Sequence, residues 1–164
     1  MQKTHLQCRE CKKEYDSTFK YICDECFGPL DVHYDFPSLT KNTFVNREQT
    51  YWRYFELLPI TDKSNIVSIS AGMTPLVKAE KLGKEIGLNN LYIKNDSVNP
   101  TFSFKDRPAG VAVSKAKEFG LGSVGCASTG NLASATAAHA AKAGFPCYIF
   151  APSDIEHAKI AQAL

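Results

Sequence analysis

The sequence predicts an α/β chain in which a cysteine-rich N-terminal module precedes part of a parallel sheet with crossover helices. Three observations carry this. Two C-x2-C pairs fall within residues 8–26. From residue 72, short strand-like segments alternate with amphipathic or alanine-rich ones. The last amphipathic segment, DIEHAKIAQAL, has no strand after it, so the layer reads as incomplete and the chain as truncated. The expected organisation is a module over 1–35, a linker, aromatic helix and short strand over 36–71, and the incomplete α/β domain over 72–164.

Composition narrows the functional classes. An apolar fraction of 44% with 11% aromatics is globular. With 19 basic and 17 acidic side chains the net charge is +2, which gives no general reason to expect nucleic acid or anionic membrane as a partner. The start, MQKTHLQCRE, is polar and lacks the apolar core of a signal peptide. No apolar run reaches bilayer-spanning length. Paired and lone cysteines (Cys126 and Cys147 are the lone ones) fit a reducing compartment, and the expected location is cytoplasmic.

Taken in order, LDVHYDF alternates like a strand. Pro37 to Asn46 reads as polar linker. EQTYWRYFELL places aromatics and leucines at helical spacing until Pro59 stops the run. IVSIS is β-branched and strand-like. LVKAEKLGKEIG reads as a helix closed by Gly87, and LYIK as a strand. SFKDRPAGVAVSKAKEFG reads as a helix ending at Gly120, followed by strand SVGCA. NLASATAAHAAKAG reads as a helix ending at Gly144, followed by strand PCYIFA.

The cysteine pairs have a chemistry of their own. CREC and CDEC are separated by eleven residues, so two tight knuckles offer four soft thiolates, the set that suits tetrahedral zinc. The segment between them, EYDSTFKYI, reads as a short hairpin, which completes a zinc-ribbon pattern. Cys8, Cys11, Cys23 and Cys26 are the expected ligands; with all four positions filled, the metal would be structural. Disulfides or redox thiols are the alternative. Ribbons also occur in nucleic-acid proteins, but Glu10, Glu14, Asp16, Asp24 and Glu25 deny this one a basic face.

Two loops carry the remaining chemistry. In NPTFSFKDR, Ser103 and Asp106 fit a capping box, which puts Lys105 at the second helical position. There the helix dipole and the aromatic neighbours Phe102 and Phe104 would both favour the neutral amine, the form a nucleophilic lysine needs. The other reading has the lysine stem packed on the two rings with its head in solvent. In ASTGN, Ser128, Thr129, Gly130 and Asn131 join a strand to a helix, which presents N–H groups as an anion site. The other reading is a βα turn capped by Thr129 or Ser128.

NPTFSFKDR resembles the N-P-T-G-S-F-K-D-R motif of the pyridoxal-phosphate (PLP)-dependent enzymes of the tryptophan-synthase fold group. STGN resembles their S-x-G-N loop and GMTPL their G-x-T-P-L segment. YWRYFELLP behind a four-cysteine ribbon is similar to threonine synthases in particular. The resemblance runs along essentially the whole chain. It implies a zinc ribbon followed by part of a parallel-sheet, tryptophan-synthase β-like fold. Lys105 would bond covalently to pyridoxal phosphate and move protons on the substrate. Asn131 would hydrogen-bond the cofactor's 3′-oxygen, and Ser128, Thr129 and Gly130 would bind the substrate carboxylate. Asp106 and Arg107 would hold the helix start.

The implied reaction converts O-phosphohomoserine and water to threonine and phosphate, with a small-molecule substrate, and a homodimer is the assembly the resemblance leads one to expect. The family's glycine-rich phosphate loop is not in this sequence, so the chain alone is expected to bind the cofactor weakly and not to turn over. Phe102 and Pro108 stand where the family commonly has glycine, which is expected to narrow the pocket. Cysteate synthase, threonine dehydratase, cysteine synthase and a non-catalytic ribbon adaptor are the alternatives.

Overall fold

In the computed structural model, which describes residues 3–36 and 38–164, the chain opens on a three-stranded antiparallel sheet. Strand β1 (Lys3–Cys8) lies between β2 (Glu14–Asp16) and β3 (Leu30–Asp35). Leu6 pairs with Tyr15 on one side and Val32 on the other. The strand expected at LDVHYDF is present. The hairpin expected within EYDSTFKYI is not: its first three residues turn back onto β1 instead. Lys12, in the left-handed region at φ +64°, reverses the chain immediately after the first knuckle and delivers residues 14–16 alongside β1. Beyond Asp16 the N–H groups of Thr18 and Lys20 are taken by tight turns, which leaves no second ladder to form.

Pro37, the first residue of the expected linker, lies outside the described residues. The rest of that segment contains a short helix, α1 (Lys41–Val45), capped by Thr40 and Thr43 in a capping box. The aromatic segment is helical as expected but of the 3₁₀ type, over Tyr51–Leu57, with a kink at Tyr54. The Arg47 guanidinium donates to the Arg53 carbonyl at 2.6 Å and to Glu56. That carbonyl is the acceptor an α-helix would reserve for Leu57, so the chain keeps i+3 bonds such as Arg53 N–H to Thr50 C=O. Tyr51, Trp52 and Phe55 face inward and form a core with Ile60 and Ala71.

No strand forms over residues 66–70. The Val67 N–H is taken by the Ser114 hydroxyl at 2.8 Å, and Ser70 turns the backbone at φ +64°. Residues 76–87 are not one helix either. Leu76–Lys78 is β4, antiparallel to β5 (Tyr92–Lys94) with Leu76 opposite Lys94. The Ala79 N–H also bonds across to Leu91, so helix α2 begins only at Glu80 and runs to Glu85. Gly87 ends the helical stretch at φ +75°, as expected.

The α/β part proper is α3 (Asp106–Glu118), β6 (Val124–Ala127), α4 (Asn131–Ala143) and β7 (Cys147–Phe150), closed by the short α5 (His157–Ile160). Strands β6 and β7 pair in parallel, Val124 with Cys147 through Ala127 with Phe150, with α4 as the crossover. The third parallel strand expected at LYIK is absent from this sheet, because β5 pairs with β4. Gly120 and Gly144, both at positive φ, terminate α3 and α4.

Helices α3 and α4 meet through small residues: Ala109 and Gly110 on one, Ala135 and Ala140 on the other, all buried. Gly110 is the closest point. A Cβ built there would lie 2.3 Å from the Tyr51 hydroxyl and 2.9 Å from His139 Nε2, so the aromatic segment, α3 and α4 converge on one missing methyl group. Gly110→Ala will therefore destabilise the protein by about 1–3 kcal/mol despite its gain in helix propensity. Urea unfolding of the variant at or above wild-type stability would refute this packing.

Candidate active site and cysteine centre

The segment Asn99–Arg107 is held by its own side chains and by the loop around Thr74. The buried Asn99 amide accepts the Gly72 N–H at 2.9 Å and donates to the Asp96 carbonyl at 3.0 Å. Asp106, fully buried, accepts from both the N–H and the hydroxyl of Thr101, each at 2.8 Å. Arg107 makes a two-point contact with Asp96 at 3.1 and 2.8 Å and also reaches the Thr74 hydroxyl at 3.2 Å. The Thr74 hydroxyl donates to Asp96 at 2.5 Å, and Lys94 caps the Thr74 carbonyl. The segments GMTPL and NPTFSFKDR are thus one bonded unit. Thr74 and Asn99 lie inside those segments and could have been singled out there; Asp96 carries no sequence signal.

The local cap differs from the expected one. Ser103 accepts from the Lys105 N–H at 3.1 Å, and Asp106 turns inward to Thr101 rather than back to Ser103. Lys105 consequently sits immediately before α3, at φ −62° and ψ −19°, not at its second position. The lysine is half-buried, with its ammonium nitrogen 4.7 Å from the Phe104 ring centroid. Among the described residues it forms no ion pair and no side-chain hydrogen bond. Phe102 and Phe104 are 71% and 56% exposed, so they do not enclose the lysine as expected. Phe102 holds φ +59°, the conformation a glycine takes without cost and an L side chain adopts at about 1–2 kcal/mol.

Behind this loop, His139 is fully buried. Its Nδ1 donates to the Ala135 carbonyl at 2.9 Å and lies 3.9 Å from Asp106. Burial pushes its pKa down, so the ring is neutral and its Nε2 is an acceptor.

The second loop follows β6. The Ser128 N–H continues the ladder to the Phe150 carbonyl at 3.2 Å, and the Ser128 hydroxyl accepts the Gly130 N–H at 3.3 Å. Gly130, not Thr129 or Ser128, is the residue that caps α4. Thr129 and Asn131 are exposed. Lys105 and residues 128–131 therefore stand at the starts of two helices that pack on one another through Asp106, Gly110 and His139. Among the described residues no hydrogen bond joins them.

At the other end of the chain, the sulfur atoms of Cys8, Cys11, Cys23 and Cys26 all lie within 4.8 Å of one another. Cys8 to Cys26 is 3.4 Å and Cys11 to Cys23 is 3.5 Å, and all six cysteines of the chain are free thiols. Four sulfurs 2.3 Å from a central zinc would be about 3.8 Å apart, so the set fits that ion. The two knuckles match in detail. Lys12 and Phe27 each follow the second cysteine in left-handed conformation, and their N–H groups return to the carbonyls of Cys8 and Cys23 at 3.1 Å. The Tyr15 hydroxyl contacts Cys23 Sγ at 3.0 Å and is the largest influence lowering that thiol's pKa to about 6.

Residues 67–164 match the family model for pyridoxal-phosphate dependent enzymes. The chain belongs to that family. Members with a stated activity narrow the likeness. A threonine synthase of Methanocaldococcus jannaschii is 42% identical over 96% of this chain and 40% of its own length. A threonine synthase of Methanosarcina acetivorans is 42% identical over 98% and 40%. The chain thus spans about two fifths of these curated relatives. Among solved structures, processed threonine deaminase isoform 2 of Solanum lycopersicum aligns with TM-score 0.52 and 26% identity, over 77% of this chain and 36% of that one. Both loops and the Thr74–Asp96–Arg107 unit fall within residues 67–164 of the family match, and the cysteine centre precedes that match. No helix among the described residues is long and apolar enough to cross a membrane.

The Arg107 guanidinium holds the Asp96 carboxyl at about 2, well below its ordinary value. A folded carboxyl that is harder to protonate than the unfolded one contributes stability above the unfolded value, and loses it as pH falls through the folded value. Asp96→Asn in this family member will cost about 2 kcal/mol at neutral pH. The gap from wild type will close between pH ~4 and ~2. Acid-unfolding curves separated by a constant amount through that window would rule this out.

Proposed function

We propose that this protein acts as a threonine synthase, converting O-phosphohomoserine and water to threonine and phosphate, with Lys105 as its catalytic residue. The observation that carries the reading is Lys105 itself. It stands at a helix start locked from behind by the buried Asp106–Thr101 bonds, and among the described residues no carboxylate engages its ammonium group. Such a lysine is available to bond a carbonyl carbon and to pass protons at a substrate. The 42% identity to two threonine synthases along nearly the whole chain supports the substrate assignment.

Asn131 and Lys105 would hold pyridoxal phosphate, which when bound supplies the electron sink for carbanion chemistry. Lys105 takes the proton from the substrate's α carbon and returns protons along its side chain. At the start of α4, Ser128 and Thr129 offer hydroxyls and Thr129 an N–H to the substrate carboxylate, and the Gly130 N–H would join them by leaving the Ser128 hydroxyl. The buried pair behind the loop keeps the Lys105 backbone still while its side chain exchanges partners.

The likeness to a threonine deaminase favours a second reading, elimination of water from threonine followed by hydrolysis of the resulting imine, which takes the water back and releases ammonia and a 2-oxo acid. One experiment separates the two. Because this chain alone is expected to bind the cofactor weakly, the full-length protein is used: mixing it with pyridoxal phosphate should produce a visible absorption band, and borohydride should then fix the cofactor's mass to Lys105. Lys105→Ala should lose both. Phosphate released from O-phosphohomoserine supports the synthase, and ammonia released from threonine supports the deaminase. A band and mass adduct that survive Lys105→Ala would refute the assignment of Lys105.

Cys8, Cys11, Cys23 and Cys26 hold a structural zinc in this reading, with Tyr15 donating to the Cys23 sulfur as an outer support. Elemental analysis should find a single zinc per chain that is lost in Cys23→Ser. Tyr15→Phe should retain it with affinity lowered about 10–100-fold in chelator competition. Wild-type protein purified free of metal and fully folded would overturn the zinc assignment.

A further inference from the structure

We propose that the aromatic segment carries a binding site for a small oxyanion, a phosphate or a carboxylate, built from Trp52, Arg53 and Lys63. A cavity of about 280 Å³ opens beside this segment, lined by three cationic side chains, Arg47, Arg53 and Lys63, against one carboxylate, Glu48. Arg47 is already matched by its two-point contact with Glu56. Arg53 places its two terminal nitrogens on the Gln49 side chain and the Phe44 carbonyl. Its Nε–H, however, is buried and has no acceptor. The indole N–H of Trp52, a residue more than nine-tenths buried, is in the same position. Lys63 stands over the Phe55 ring at 5.3 Å and has no carboxylate partner among the described residues.

Trp52 and Arg53 both line the cavity, and an indole and a guanidinium can donate but never accept, so whatever comes to satisfy these two N–H groups must be an acceptor. Water would supply the acceptor atoms but add no negative charge to a cavity whose cationic lining outnumbers its one carboxylate, Glu48. An oxyanion answers both needs, and guanidinium N–H groups bond phosphate and carboxylate oxygens more strongly than neutral acceptors. None of these residues belongs to the two loops assigned to the reaction, and the site does not depend on that assignment.

Trp52 is the chain's single tryptophan, so its fluorescence reports on this cavity. The protein is titrated with inorganic phosphate, and separately with acetate, at ionic strength held constant with potassium chloride. A saturable change is expected. A lower midpoint for phosphate names a phosphorylated ligand and a lower one for acetate names a carboxylate; either supports the site. Arg53→Gln should raise the midpoint about tenfold or more. Lys63→Met, at an exposed position whose change leaves the fold intact, should raise it severalfold. A response to both anions that is linear and equal to that of chloride would overturn the proposal, as would a Lys63→Met isotherm identical to wild type.

Discussion

A single buried carboxylate, Asp106, sets the geometry around Lys105. An uncompensated charge in that position would be strongly unfavourable. It is accommodated because Thr101 supplies two donors from five residues upstream. Those two bonds fold residues 101–106 into a closed turn, fix where α3 starts, and leave Lys105 on the outer side with no acid to pair with. The neutral His139 ring packs behind the same carboxylate, which ties the turn to α4. Arg107, next in sequence, faces the other way and binds Asp96 and Thr74. Consecutive residues of opposite charge therefore anchor the loop to two separate parts of the molecule.

The cysteine module is organised on a different principle. Its sheet is three strands with little buried apolar surface beyond Leu6, and Cys8 and Cys23 are its most enclosed side chains. A unit of this size cannot hold itself by burial alone. The matched knuckles, each closed by a left-handed residue, bring four thiols to tetrahedral spacing. In such modules the energy that a core would supply comes from metal–sulfur bonds instead. Tyr15 joins the sheet to the cysteine cluster, since it belongs to β2 and its hydroxyl reaches the Cys23 sulfur.

Much of the candidate site was legible because its chemistry is written in contiguous residues. The knuckles and the helix-ending glycines 87, 120 and 144 are short-range signals, each falling where local geometry demands that residue type, and the lysine in NPTFSFKDR is a short-range signal that falls beside the start of α3. The misreadings share the opposite character. LVKAEKLGKEIG has helical periodicity throughout, yet Leu76–Lys78 became a strand because residues 92–94 were available to pair with it. The aromatic segment has α-helical spacing, but Arg47 removed the carbonyl that an α-helix would have used. The capping box at Ser103 has the right letters, but Thr101 offered Asp106 two donors instead of one.

The sequence by itself determined the α/β character, the four-cysteine set, the placing of Lys105 next to a helix start and the family, because these depend on residue type and on spacings within one turn or one strand. Only the tertiary structure decided which strands pair, that Asp96 completes the clamp on Arg107, and that Gly110 lets Tyr51, α3 and α4 meet. It alone also decided that Phe102 lies outward in a left-handed conformation instead of lining a pocket around the lysine. The physical reason is common to all of these. Hydrogen-bond partners and close contacts between residues 11 to 59 apart are chosen by competition among the groups that folding brings together, and a linear pattern does not record which competitor is nearest.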